Sequence, residues 1–178
     1  MKNVLLASCA IVASAGAANA SFVIEGTLPN DGTGLLTDIL FVEFEVVSAG
    51  IIEFELLGNG GPIDIGNGPS TLDAEMIIFI DDGDRSLDDI VGRDDEGGPL
   101  GNDAFLSLDL AVGSYQAALS AFFITDTEFL NGVNPTALGG NNPDFRFTAT
   151  GITGVVVPTP GATALAGLAG LSLVRRRR

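Results

Sequence analysis

Residues 41–57 read Phe-Val-Glu-Phe-Glu-Val-Val-Ser-Ala-Gly-Ile-Ile-Glu-Phe-Glu-Leu-Leu, and they alternate apolar and acidic side chains in two runs. A period of two is typical of β-strands that bury one face and expose the other to water. The small residues Ser48-Ala49-Gly50 link the two runs tightly, which favours a hairpin. This stretch therefore predicts antiparallel β-structure.

Similar strand patterns continue along the chain. Residues 104–110, 115–123 and 145–150 alternate, and Met76 to Ile80 is a continuous apolar run that ends at the turn signal Asp82-Gly83. A link at residues 111–114 favours a second hairpin. No helical pattern of ten residues with caps occurs outside the two ends of the chain. We therefore expect an all-β domain over residues 21–156, an antiparallel β-sandwich of about seven or eight strands.

The charge and the missing residue types exclude several classes of function. Between residues 21 and 158 lie all 23 acidic residues and only three arginines, a net charge of −20. Nucleic-acid binding is not expected, because it requires a basic surface. The chain has no histidine, and Cys9 and Lys2 are its single cysteine and single lysine. Catalysis by Ser–His or Cys–His pairs, zinc sites of histidine or cysteine, and Schiff-base lysines are thereby excluded, which leaves carboxylate chemistry. We expect no enzymatic activity.

Residues 1–20 match a secretory signal peptide, which we expect to be helical. Lys2 supplies the positive start, residues 4–18 are apolar or small, and Ala18-Asn19-Ala20 is an A-x-A cleavage site before Ser21. A buried N-terminal helix is one alternative. A lipoprotein signal ending at Cys9 is another, but its apolar stretch would have about five residues where a signal core needs ~7–15.

The C-terminal residues 157–178 combine Pro158-Thr159-Pro160, an apolar stretch from Gly161 to Val174, and a terminal cluster of four arginines. As a helix the apolar stretch would span about 21 Å, short of a hydrocarbon core of ~30 Å. It therefore predicts transient membrane association, with the arginines on the cytoplasmic side. An ordinary short tail anchor is the alternative. The arginine cluster consists of Arg175, Arg176, Arg177 and Arg178.

This three-part C-terminus resembles the PEP-CTERM sorting domains, with one departure: Thr159 stands where the signature has Glu. The resemblance implies that the secretion machinery exports the chain. It further implies that an exosortase-like membrane protease processes it for the cell envelope, the surface or an exopolysaccharide matrix.

Residues 40–123 resemble the bacterial pre-peptidase C-terminal domain. The resemblance rests on the alternating run at 41–46, Ser48-Ala49-Gly50, the apolar run after Asp73, an acidic glycine-rich stretch, and residues 111–120. It implies a jelly-roll-like, non-catalytic β-sandwich, of which some relatives bind calcium or assist attachment to a matrix.

Acidic residues are concentrated between residues 81 and 103. Calcium takes six to eight oxygen ligands, and two acidic turns brought together by a sandwich would supply several of them. The candidate Ca²⁺ ligands are Asp81, Asp82, Asp84, Asp94, Asp95 and Asp103. The alternative is a set of solvated, turn-forming acids that keep an exported protein soluble.

Three functional hypotheses follow. The first is a non-catalytic exported protein with a C-terminal sorting segment. The second is a calcium-dependent binding module for a matrix polysaccharide or protein. The third, a carboxylate glycoside hydrolase, needs a pair of acids that flank a sugar cleft. It is disfavoured because the chain has no Trp and only Tyr115, and because its phenylalanines read as core apart from Phe105 and Phe122.

Overall fold

The computed structural model describes residues 10–14, 21–30, 36, 38–58, 70–98, 103–135 and 143–151. Within these residues the chain forms nine β-strands, a 3-10 helix at Leu87–Asp89 and a short α-helix. The elements in chain order are β1 Ala10–Ser14, β2 Ser21–Thr27, β3 Leu40–Val46, β4 Gly50–Leu57, β5 Ala74–Ile80, β6 Ile90–Asp94, β7 Ala104–Leu110, β8 Gly113–Ala121, α1 Asp126–Asn131 and β9 Asp144–Thr150.

The strands form two antiparallel sheets. One has the order β1-β2-β9-β4-β7 and the other the order β3-β8-β5-β6. The main apolar core draws on strands of both sheets, and the rings of Phe44 on β3 and Phe54 on β4 lie 5.5 Å apart between them. The prediction of an all-β protein with two packed antiparallel sheets is confirmed.

The two short links predicted as hairpins are instead connections between the sheets. β3 pairs with β8 and β4 pairs with β7, so residues 47–49 and 111–112 each carry the chain from one sheet to the other. In a hairpin the apolar faces of both strands would point the same way. The crossing turns them toward each other, so that Phe44 and Phe54 meet. The hairpin prediction is therefore wrong, although the strands themselves lie where the alternation indicates.

β5 is buried on both faces. Met76 and Ile78 belong to the core between the sheets. Ile77 and Phe79 point outward, into a second cluster with Ile39, Ile124 and Phe129. This explains why the run from Met76 to Ile80 is continuously apolar rather than alternating.

The second cluster is closed by α1, which the sequence patterns did not predict. Its N-terminus is a capping box in which Thr125 and Glu128 satisfy each other's backbone N–H groups. Its C-terminus is Gly132, whose φ of 71° is left-handed. With six residues the helix is too short to produce a helical period in the sequence, and Phe129 is its buried residue.

Helices are predicted at both ends of the chain, and the structure describes part of the N-terminal segment. Residues 10–14 pair with β2 as the edge strand β1, so these five residues form a strand and not the predicted helix. The remainder of the signal segment and the predicted C-terminal helix lie outside the described residues. Within the described part, no helix is long and apolar enough to cross a membrane.

Candidate functional site

The connection from β5 to β6, residues 81–89, brings three carboxylates together. Ligand oxygens of Asp82, Asp84 and Asp89 all lie within 4.8 Å of one another. Asp82 and Asp84 are exposed and Asp89 is half-buried. Among the described residues this is the one group of acids with the spacing of a metal site. We call it the acidic triad.

Local backbone chemistry builds the acidic triad. The Asp81 N–H donates to the Ser114 carbonyl at 2.9 Å, which fixes the start of the loop against β8. Gly83 has a φ of 105°, a conformation that glycine adopts without strain, and it turns the chain between Asp82 and Asp84. Ser86 then caps the 3-10 helix by accepting from the Asp88 N–H at 3.1 Å, and that turn returns Asp89 to the other two acids.

The electrostatics of the acidic triad are repulsive. The neighbouring Asp82 charge raises the pKa of Asp84 most, and a side-chain hydrogen bond with Asp82, slight desolvation and the Asp89 charge add to the effect. A divalent cation would relieve this repulsion. Three carboxylates supply part of the oxygen shell of Ca²⁺, and backbone carbonyls or water complete such shells.

The structure does not bring the six predicted ligands together. Asp81, Asp82 and Asp84 follow β5, whereas Asp94 pairs with Met76 at the far end of the β5–β6 hairpin. A five-residue strand of roughly 15 Å separates the two ends. Asp95 and Asp103 lie at the Asp94 end. Asp89 is not among the predicted ligands, and the 3-10 turn at Leu87–Asp89 places it as the third member of the acidic triad.

The Asp94 carboxylate holds two segments of the backbone together. Its Oδ2 accepts from the N–H groups of Gly97 at 2.7 Å and Phe105 at 2.8 Å. This carboxylate therefore ties the turn after β6 to the start of β7. Both bonds use the same oxygen.

Asp103 is completely buried at the start of β7. Its Oδ1 accepts from the Gly58 N–H at 2.7 Å, while its Oδ2 has no hydrogen-bond partner in the part of the chain that the structure describes. Burial raises the pKa of Asp103, and the bond from Gly58 offsets part of that rise. Asp103 thus joins the end of β4 to the beginning of β7 as a partly satisfied buried carboxyl.

A further acid, Asp73, shares this end of the hairpin. Burial raises its pKa most, followed by the charges of Asp95, Glu96 and Asp103. The acidic stretch is therefore divided into two groups at opposite ends of β5 and β6, and only the acidic triad has the spacing of a metal site among the described residues.

The two arginines of the acidic stretch point away from the candidate site. Arg85 lies over the Phe41 ring at 4.4 Å and donates to the Phe129 carbonyl at 3.1 Å. Arg93 forms an ion pair of 2.6 Å with Glu75, which is 1% exposed. Neither is a partner of the acidic triad.

Glu75 organises a network that the sequence patterns do not predict. Its carboxylate accepts from Arg93 Nε at 2.7 Å and from the Ile124 N–H at 2.5 Å, and Arg93 also donates to the Ile124 carbonyl. Arg93 lies 3.5 Å from Asp126 and over the Phe123 ring as well. The network fastens the segment before α1 to β5 and β6. Its only signal in the sequence is a glutamate placed directly before an apolar run.

The predicted processing residues have different positions. Ser21 is the first residue of β2. Ala18, Ala20, Pro158, Thr159, Pro160 and Arg175–Arg178 lie outside the described residues.

No protein-family model matches the chain, and no curated protein matches it at a significant level.

Proposed function

We propose that the chain is a non-catalytic exported β-sandwich, retained briefly at the membrane by its C-terminal segment and released by an exosortase-like protease to the envelope, surface or matrix. The support comes from the layout of the chain. A signal-like segment precedes Ser21, eight described strands lie between Ser21 and Thr150, and the sorting-type segment follows. We also propose that the sandwich has the jelly-roll-like connections of the pre-peptidase C-terminal domain.

Removal of residues 161–178 tests this proposal. The deletion should move the protein from the membrane and envelope fractions to the medium or periplasm, because the apolar stretch and the arginines are lost. A matched control replaces Glu43 and Glu96 by their amides, since these exposed acids lie far along the chain from the tag. Unchanged fractionation of the deletion variant would contradict the sorting proposal.

A second candidate function is a calcium-dependent binding module for a matrix polysaccharide or protein. The single observation that favours it is the convergence of Asp82, Asp84 and Asp89 within 4.8 Å. Calcium would offset the mutual repulsion of these acids and hold the β5–β6 connection in one conformation.

Thermal unfolding with calcium and with chelator tests this second candidate. At 100 times its Kd, a ligand of the folded state adds ~2.7 kcal/mol, which for a domain of this size is roughly a 10 °C rise in Tm. Asp82→Asn, Asp84→Asn and Asp89→Asn together should abolish the rise. The triple amide variant of Glu43, Glu45 and Asp109 removes the same charge elsewhere and should keep it. If millimolar calcium leaves Tm unchanged, the acids are a solvated surface. Pull-down of matrix polymers with and without chelator then separates the two candidate functions.

A further inference from the structure

The C-terminal segment predicted to meet the membrane leaves the sandwich at the end where β2 begins and β9 ends. Ser21, which begins β2, pairs with Thr150, which ends β9, and Thr150 also pairs with Glu53 on β4. The next residue, Gly151, packs so closely on β4 that a Cβ there would lie 2.5 Å from the Ile51 carbonyl oxygen. Residues 152–178 are therefore attached at this end, whereas β1 turns back from it along β2, as far as Ala10 opposite Glu25.

Both connections between the sheets lie at this end too. Gly50 pairs with Leu110, and Val46 pairs with Gly113, so the two links run side by side. They and the adjoining strand carry three strongly exposed aliphatic side chains: Val47 at 49%, Ile51 at 62% and Val112 at 65%. We call these three residues the apolar tip. Aliphatic groups gathered at one end of a domain favour contact with an apolar or interfacial surface.

The spacer between the sandwich and the C-terminal apolar segment is short. Nine residues, 152–160, separate Gly151 from Gly161, and a fully extended chain spans at most ~3.6 Å per residue, or about 32 Å here. Once residues 161–174 are in a bilayer, the apolar tip is confined close to the lipid surface. Such tethering makes even a weak contact frequent, because the effective concentration is high.

The acidic side chains around the apolar tip favour zwitterionic over anionic lipid headgroups. Glu45, Glu53 and Asp109 are exposed on the adjoining strands and would be repelled by anionic headgroups. A zwitterionic surface has no such repulsion.

We propose that the apolar tip is a lipid-contacting surface, which docks the sandwich end-on against a zwitterionic bilayer while the C-terminal segment holds the chain there. The inference rests on the proposed membrane association and adds the orientation of the domain. The acidic triad belongs to the same end of the sandwich, because the Asp81 N–H that starts its loop donates to the Ser114 carbonyl beside the links.

Site-directed fluorescence tests the docking surface in the full chain. The variant Cys9→Ser removes the single cysteine, and Val112→Cys or Val47→Cys then carries an environment-sensitive fluorophore. Glu96→Cys is the matched control, because Glu96 is exposed beyond the Asp94 end of β6. The protein is mixed with phosphatidylcholine vesicles that contain lipids with nitroxide quenchers at the headgroup or on the upper acyl chain. Circular dichroism checks that each labelled variant retains its β-structure.

The expected result is flotation of all variants with the vesicles, with a blue shift and quenching of the labels at 112 and 47 and neither change at 96. Flotation with equal, water-like emission at all three positions would overturn the inference and leave the membrane association intact. Absence of flotation would contradict the membrane association and the inference together. A blue shift at 112 that grows with protein concentration without vesicles would show that a second copy covers the apolar tip, and would also overturn the inference.

Discussion

Ser21 lies directly opposite Thr150 in the register of β2 and β9, so the residue after the predicted cleavage point meets the last residue of the final strand. The sandwich from β2 to β9 is thus closed between these two residues. β1 lies outside this closure, at the edge of the sheet, and pairs with β2.

A chain of residues 21–158 should therefore fold. We expect this shortened chain to keep a β-type circular dichroism spectrum and to unfold cooperatively in urea. The truncation removes β1 but leaves the core residues of both clusters in place. Loss of the cooperative transition on removal of residues 1–20 would show that β1 is required for the fold and would argue against cleavage before Ser21.

Among the described residues, the Glu75–Arg93 pair should be the polar contact whose loss lowers the free energy of unfolding most. Arg93→Ala leaves the buried Glu75 carboxylate with only the Ile124 N–H, and removal of one partner of a buried pair costs about 3–5 kcal/mol in the fully buried case. Because Arg93 is partly exposed, we expect a loss of about 2–3 kcal/mol in the free energy of unfolding by urea.

The matched control is Arg146→Ala. Arg146 pairs with Glu25 at 2.5 Å, but both side chains are about one-third exposed. Its loss should cost less than ~1 kcal/mol. Equal effects of the two substitutions would contradict the structural role assigned to Glu75.

The folded protein should be more stable at mildly acidic pH than at pH 7. Burial raises the pKa of Asp103, Asp73 and Glu75 above their ordinary values of 3.8, 3.8 and 4.5. Between those ordinary values and the raised ones, the folded state binds more protons than the unfolded state. The free energy of unfolding therefore falls as pH rises through this window.

Urea unfolding between pH 4.5 and pH 7 measures this dependence. Asp103→Asn should flatten it, because the amide keeps an oxygen for the Gly58 N–H without a charge. Asp109→Asn changes an exposed acid and should leave the slope unaltered. A stability that rises from pH 4.5 to pH 7 in the parent chain would contradict the assignment of these buried carboxyls.

A side chain at position 132 should destabilise the folded protein. The φ of Gly132 is +71°, and a Cβ there would lie 2.6 Å from Arg85 Nη1 and 3.3 Å from the Phe41 ring. We expect Gly132→Ala to cost about 1–2 kcal/mol, since left-handed backbone is unfavourable for alanine and Arg85 must shift. Gly113→Ala is the control, because the nearest atom to its Cβ would be 3.6 Å away. Equal Tm values for the two variants would contradict the cap geometry.

The sequence predicts the strands better than their pairing. Alternation identifies β3 and β4 because each buries one face, but a short link can close a hairpin or cross between sheets with the same pattern. The contact of Phe44 with Phe54 decides between these outcomes, and it depends on residues far apart in the chain, since β3 pairs with β8.

The sequence predicts only part of the candidate site, because contacts made by the fold decide the rest. Asp82 and Asp84 belong to a recognisable turn, whereas the position of Asp89 depends on the 3-10 turn capped by Ser86. Asp94, chosen as a ligand for its charge, instead accepts from Gly97 and Phe105. Composition reports where acids are concentrated, while the hydrogen bonds of the fold decide what each carboxylate contacts.

The masses of the protein recovered from the cell envelope and the medium test most directly whether the chain is exported and then sorted through its C-terminal segment. The expected product begins at Ser21 and has lost the apolar stretch and the arginine cluster, with its C-terminus either before Pro158 or after Pro160. The longer C-terminal form should accumulate at the membrane when the processing protease is removed. Recovery of the full chain from Met1 to Arg178 in the cytoplasm, with no shortened form in any other fraction, would contradict the proposed export and sorting.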